Sequence, residues 1–398
     1  MICELKKCWG YQSIRFLVLF IFLCPIIVSL IFIHGAESYE FNNGEIKYRM
    51  GIEALRDKGN RTENNIDYLD EAKVHQPLKY LIENWEKENA YEKMEAKYPE
   101  YYHILYEAYE SPLHGKEYNI KNAEADNFYE EVNARRKERM EIEQARELNI
   151  DDLIWLNKLE EQIQGPFIIG NTNSWIVLIK SLYLSFAGLL FLLILVGNFI
   201  FSIDRELNME EILYVKGCKS LLLKKKKLNT YLLTSLLSLI YASLTCILMV
   251  RILGGRLPNI SIQIIPQLLI SPYNMTGWTM LALYLILAFI GIGVILILNS
   301  VISDGFKNPI ISALISISIL FFCFYLKNKT YASIGLRQLI LLLPSSSIDI
   351  LRILSIVSFV NFFRIKVSLF TLAIAINVGL LLWGYILYFI FNRLRRYN

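Results

Sequence analysis

SIRFLVLFIFLCPIIVSLIFI, residues 13–33, decides the fold class. Its one charge, Arg15, stands at the edge. At 1.5 Å per residue the run crosses a hydrocarbon core of about 30 Å. It is too long for a typical signal-peptide core, and His34-Gly35-Ala36-Glu37 is a poor small-x-small cleavage site, so it reads as a retained span. Residues 35–172 contain no comparable run. Apolar runs then recur near 175–202, 229–252, 277–300, 309–326 and 367–391, each long enough to cross. One span, a long charged insert and five further spans predict an all-α polytopic membrane protein. Its parts are six transmembrane helices and a helical extracellular domain.

Composition supports that layout. The chain is 54% hydrophobic with a mean hydropathy of +0.37, and its apolar residues come in blocks rather than at a helical or strand period. The net charge of +4 hides a split. Residues 35–172 hold 30 acidic and 18 basic side chains, leaving 7 acidic and 23 basic elsewhere. An acidic insert is therefore joined to a basic membrane body. The inner membrane surface accounts for the basic residues, so no nucleic-acid partner is expected. All six cysteines (Cys3, Cys8, Cys24, Cys218, Cys246, Cys323) lie outside the insert, which must be held by its own packing rather than by disulfides.

Lysine and arginine placement sets the orientation. Lys6, Lys7 and Arg15, then Arg205, Lys216, Lys219 and Lys224 to Lys227, then Lys307, then Arg393, Arg395 and Arg396 fall on one side of six spans. That side is predicted to be the cytoplasm, with both termini there and residues 35–172 extracellular. The expected organisation is 1–34, an N-terminal amphipathic segment and the first span; 35–172, the acidic domain; and 173–398, the membrane domain. The last carries a cytoplasmic segment at 203–228 and an outer interfacial hairpin at 337–365. Within that hairpin, Gln338–Leu343 is too short to cross before Pro344, and Ser347 or Asp349 is placed to cap a new helix. Arg352, Ser355, Ser358 and Asn361 recur every third residue, which predicts a helix over Ile348–Phe363 lying in or dipping into the outer interface.

The insert reads as mostly helical over 46–165, with sparse strand signals. Asn149 to Asp152 opens a helix whose apolar face is expected at Ile150, Leu153, Ile154, Leu156, Leu159 and Ile163, stopped by Gly165-Pro166. Leu78, Leu81, Ile82, Trp85 and Tyr91 form a second face. Tyr98, Tyr101, Tyr102, Tyr106 and Tyr109 crowd together, as a small bundle core or as a surface for a peptide or other partner.

Catalytic chemistry is missing from the sequence. It has no GxxxxGK[ST], HExxH, CxxC or GxSxG, and its four histidines show no metal-pair spacing. No catalytic, cofactor or metal residues are assigned. The polar residues inside spans that are candidates for a pathway are Asn377, Ser316 and Tyr241; packing between helices is the competing use of each.

The second span ends Gly197-Asn198-Phe199-Ile200-Phe201-Ser202-Ile203-Asp204-Arg205-Glu206. Leu207-Asn208-Met209-Glu210-Glu211-Ile212-Leu213-Tyr214-Val215-Lys216-Gly217-Cys218-Lys219-Ser220 follows. This stretch resembles the cytoplasmic coupling segment of type-2 ABC (ATP-binding cassette) exporter permeases. Asp204-Arg205-Glu206 matches the acidic-Arg-Glu group, Glu210–Val215 the short amphipathic helix, and Gly217 with Lys219 the turn. Leu207-Asn208 stands where the family has Gly-Thr, and Gly217 where it has Pro. Six spans, a basic N-terminal segment Met1–Tyr11, a broken hairpin before the last span, and an ectodomain after the first fit the same resemblance.

The resemblance implies ATPase-coupling roles for Asp204, Arg205, Glu206, Glu210, Glu211, Gly217 and Lys219. It implies cytoplasmic ABC ATPase subunits and a second permease copy or paralogue as partners, with ATP and magnesium held by the ATPase. Lys224 to Lys227 are expected to anchor the next span at anionic lipid. The expected function is export of a peptide, drug or lipid-like substrate, an extracellular cationic peptide suiting the acidic domain. The alternative is a receptor, sensor or mechanotransmitter that uses the ectodomain without transport.

Overall fold

The computed structural model describes residues 12–42, 45–63, 67–109, 120–144, 149–163, 165–206, 220–306, 308–327, 334–362 and 365–394. Among them six helices are long and apolar enough to cross a membrane. They are α1 (Gln12–His34), α8 (Thr172–Glu206), α9 (Ser220–Ile252), α10 (Gly277–Gly305), α11 (Pro309–Lys327) and α14 (Leu369–Leu394). The chain is an all-α polytopic membrane protein. The proposed N-terminal segment Met1–Tyr11 lies outside the described residues. Pro25 stands inside α1, and the helix continues through it.

α8 is the hub. It packs against α1, α9, α10 and α11. Helices approach closely where one side chain is only a hydrogen. A Cβ on Gly197 of α8 would lie 2.5 Å from the Tyr231 hydroxyl and 2.7 Å from the Asn299 amide nitrogen.

The insert is helical, as its composition predicts, with short strands the composition concealed. After α1 come a hairpin, β1 (Glu37–Asn42) and β2 (Glu45–Met50), then α2 (Gly51–Glu63) and β3 (Asp67–Leu69). The helices α3 (Glu71–Asn84), α4 (Ala90–Lys97), α5 (Tyr101–Tyr109), α6 (Phe128–Gln144) and α7 (Ile150–Glu160) follow. β4 (Phe167–Ile169) closes the insert by pairing with β3. Asn149 caps α7 in a reciprocal capping box with Asp152. The apolar face expected of α7 is buried only in part. Ile150 and Ile154 are 76% and 49% exposed, while Leu156 and Asp152 are buried. The Lys366 ammonium 2.6 Å from the Asp152 carboxylate draws that acidic side inward.

The insert is bonded to the loops of the membrane body that lie on its side of the spans. Arg136 Nε donates to the Ile270 carbonyl at 3.2 Å, and Gln144 Nε2 to Ser358 Oγ and the Phe359 carbonyl, each at 3.2 Å. Beside these contacts Trp175 Nε1, in α8, donates to the Pro258 carbonyl at 3.0 Å. One apolar core runs from Leu55, Leu78 and Phe128 in the insert through Trp175 into the spans.

The hairpin expected at 337–365 differs from its expectation. A short helix α12 (Ile334–Leu341) leads to a tight turn, Pro344–Ile348, then to α13 (Ile350–Leu354), which Asp349 caps. The helix predicted over Ile348–Phe363 stops at Leu354. The chain instead forms β5 (Phe359–Phe362) and β6 (Ile365–Ser368). Of the repeat's polar residues Ser358 docks on the insert, accepting from Gln144 as well as from Gln338, while the neighbouring Phe359 packs on Trp155.

Nor does the hairpin stop at an interface. Pro344 and Ser347 press against Gly291, which stands midway along α10, about 20 Å from either end at 1.5 Å per residue. The turn therefore re-enters to mid-membrane depth. Irregular backbone survives there only when buried in protein with its polar groups satisfied. Ser345, Ser346, Ser347 and Ile348 are buried. Tyr284 donates to the Ile348 carbonyl at 2.8 Å, Ser346 to Ile340 at 2.8 Å, and Asn377 to Leu342 at 3.5 Å.

A Cβ on Gly291 would sit 2.6 Å from the Pro344 carbonyl oxygen. Gly291→Ala is expected to lower stability by about 1–3 kcal/mol, read as a drop in Tm of the detergent-purified protein. Gly379→Ala, with open space around its Cβ position, should leave the Tm close to wild type.

Candidate functional site

Three buried clusters lie along α8. The one nearest the C-terminal end of α8 ties α8, α9 and α10 together. Asn198 Nδ2 donates to the Ile194 carbonyl at 2.7 Å and to Asn299 Oδ1 at 3.0 Å. Asn299 Nδ2 donates to the Tyr231 hydroxyl at 3.2 Å, and Tyr231 in turn to the Leu193 carbonyl at 2.9 Å. Ser303 donates to the Asn198 carbonyl, and Lys224 pairs with Asp304 at 2.8 Å. In hydrocarbon such bonds between helices replace contacts water cannot supply. This clasp sits where α8 leaves the bundle and α9 enters it, at the root of the proposed coupling segment.

Asp204, Arg205 and Glu206 are the last three residues of α8. Glu210, Glu211, Gly217 and Lys219 lie outside the described residues. The four lysines do not all serve lipid. Lys224 is spent on Asp304 and Lys227 is buried; Lys225 and Lys226 face outward.

The second cluster surrounds the re-entrant turn. Ser316 lines a cavity beside it, and Asn377 bonds the turn from α14 and is itself held by the Ala373 carbonyl at 2.8 Å. Tyr241 stands apart. Its hydroxyl donates to the Phe22 carbonyl of α1 at 3.2 Å, so it joins the first and third spans. The structure thus brings two of the three pathway candidates to one element and leaves the third as a packing contact.

The third cluster, where the insert meets the first turn of α8, is absent from the sequence reading. Glu95 is buried, with Lys58 Nζ 3.5 Å away. Glu100 adopts a left-handed backbone at φ 75°, sparsely populated for a residue with a Cβ, and its carboxylate accepts from Thr172, the first residue of α8. Burial pushes both carboxyls above the usual range, and Lys58 only partly offsets this. Lys58 is itself raised, because Glu100 and Glu95 together outweigh its own burial. Burial lowers His103 against the pull of Glu100. Only their fold brings these residues together, so spacing gave no signal.

The tyrosine crowd packs as part of the insert's core, with some rings half-buried. Tyr109 is buried and bonds the Glu124 carbonyl at 2.9 Å. Trp85, Tyr102 and Tyr106 stack at 6.1–6.3 Å as half-buried rings. Comparison with models of protein families, with curated proteins and with solved structures finds no match.

The raised carboxyls fix a pH dependence. A carboxyl whose folded pKa exceeds its unfolded value of about 4.3 stabilises the fold fully below that value. The contribution is lost as pH rises through the folded value. Glu95→Gln removes the penalty and leaves Glu100 to partner Lys58. It should raise the Tm at pH 8, with the gain shrinking toward pH 5. A Tm lowered at pH 8 would show that the Lys58–Glu95 pair is net stabilising.

Proposed function

We propose that this chain is the membrane-spanning subunit of an ATP-driven exporter, energised by a separate cytoplasmic ATPase of the ABC type that binds ATP and magnesium. It would work beside a second permease copy or paralogue and move a peptide, drug or lipid-like substrate out of the cell or membrane. Residues 35–172 lie outside and both termini inside, following the lysine and arginine asymmetry.

The observation that carries the reading is the run of α8. One 35-residue helix starts at the Glu100–Thr172 bond under the insert and ends at Glu206, where the acidic segment resembling a coupling helix begins. At about 52 Å it exceeds the hydrocarbon thickness. The Asn198–Asn299–Tyr231 clasp fastens its inner end to two further spans. A push at Asp204–Ser220 would therefore reach α9 and α10 as well as α8.

The same helix favours a second reading, mechanotransmission. The insert is bonded to α8, to the 253–276 loop and to the β5–β6 hairpin, so inner movement could be delivered to the ectodomain with no substrate crossing.

Pull-down of the tagged full chain from its native host should retain an ABC ATPase. Glu206→Lys with Glu210→Lys should abolish that retention; Glu88→Lys, on the insert, should not. An ATPase kept unchanged by substitutions across 204–220, or missing from the wild-type pull-down, overturns the reading. With the complex in liposomes, ATP-dependent movement of a cargo supports export. ATP-dependent change confined to the ectodomain supports mechanotransmission.

A further inference from the structure

Helix α7 of the insert is tied at both ends to the rim of the membrane body. At its N-terminal end the Lys366 ammonium pairs with the buried Asp152 carboxylate at 2.6 Å. Lys366 stands three residues before the start of α14. Just past its C-terminal end the Gln162 carbonyl accepts from Asn274 Nδ2, and Asn274 stands three residues before the start of α10. A third tie sits beside the first. Gln144, at the end of α6, donates to the Ser358 hydroxyl, and the Ser358 carbonyl accepts from the N–H of Leu369, the first residue of α14, at 3.1 Å.

Three residues reach about 10 Å even when fully extended. Both ends of α7 therefore lie beside the entry point of a membrane-spanning helix, and the two ends are about 16 Å apart at 1.5 Å per residue. Anchors at one level set the helix axis along the membrane surface rather than away from it. Trp278, 39% exposed in the first turn of α10, marks that level, since tryptophan gathers where hydrocarbon meets water.

The side chains of α7 are divided to match. Asp152 and Leu156 turn into the protein. On the other side Ile150 and Ile154, four residues apart on one row, are the large exposed apolar residues of the helix. Asp151 and Lys158 are exposed on one flank of that row, and Leu153 is half-buried on the other. Lipid-facing surface lies next to this corner: Leu339 of α12, adjacent to the Gln338 that also bonds Ser358, is 63% exposed. A helix lying in the boundary plane with isoleucines on one side and charges on the next sinks its apolar side into the headgroup–acyl region.

We propose that α7 is an interfacial helix through which the insert rests on the bilayer, with Ile150 and Ile154 in the phospholipid headgroup–acyl boundary and Asp151 and Lys158 in water. The partner is the phospholipid surface on the insert's side of the spans. Its recognition is apolar rather than ionic. Lys366 is engaged by Asp152, and Asp151 stands beside Ile150 to oppose an anionic headgroup, so a neutral phosphatidylcholine bilayer suffices. This contact does not pass through α8, and it holds whether or not an ATPase binds.

The test uses the full chain in phosphatidylcholine nanodiscs, native cysteines replaced, with an environment-sensitive fluorophore on Ile150→Cys, Ile154→Cys, Lys158→Cys or Phe322→Cys. Phe322, 59% exposed on α11, is the reference for lipid contact. A lipid carrying a nitroxide just below its headgroup should quench positions 150 and 154 about twofold more than position 158. Aqueous iodide should show the reverse order, and added phosphatidylglycerol should leave both patterns unchanged. Iodide quenching as strong at 150 and 154 as at 158 places the row in water and overturns the proposal. Cross-linking between chains through position 150 without lipid quenching places a second copy there and also overturns it. Wild-type chain gives a readout that needs no substitution. A phosphatidylcholine with a diazirine near the head of its acyl chain should label the peptide around 150–157; label on the spans with none on that peptide overturns the proposal.

Discussion

A peptide group that enters hydrocarbon must find its hydrogen-bond partner inside the protein. The six long helices meet that demand within themselves. The segment from Ile334 to Leu354 does not, since it breaks at Pro344 halfway across. Tyr284, Asn377 and Ser346 supply donors to its carbonyls, and Gly291 makes room for it. Those demands fix residues on α10 and α14 and place the turn against the body of the bundle. The cavity follows from the same geometry: a turn that reaches mid-depth leaves space below it, walled by α8, α10 and α11.

α8 converts this packing into a connected machine. It touches four other spans, begins on the insert and ends at Asp204–Glu206. At its N-terminal end a strained Glu100 is held to Thr172; toward its C-terminal end Asn198 is held to Asn299. The insert is then part of the core rather than a tethered appendage, with Leu55 and Phe128 in the same apolar cluster as Leu182 and Phe186. Movement at either end has a stiff route to the other.

The span pattern was plain in the sequence because hydrophobic blocks such as Ser13–Ile33 have one physical use at that length. Asn149–Asp152 was legible as a helix start, and Asp349 with Ser347 as alternative caps, because capping needs a short polar side chain at one position. What escaped was whatever depends on partners distant in sequence. Arg352, Ser355, Ser358 and Asn361 imitate a helical stripe, yet Ser358 is claimed by Gln144. Asp152 looks like a solvent-facing residue of α7 and is buried by Lys366. The β1–β2 hairpin alternates over only six residues a side, too few to stand out among charged helix formers. Of the candidate site, Ser316 and Asn377 were found as polar residues in apolar runs. Glu95, Glu100 and Lys58 carried no such contrast, because charge is ordinary in an acidic insert.

The account rests on α8 carrying an ectodomain on one face of the membrane to an acidic segment on the other. Cysteine accessibility tests this most directly, using Lys158→Cys and Lys225→Cys, both exposed, in a chain whose native cysteines are replaced. A membrane-impermeant maleimide should label position 158 in intact cells, and position 225 only after permeabilisation. Labelling of position 225 in intact cells, or of both positions from the same side, would contradict it.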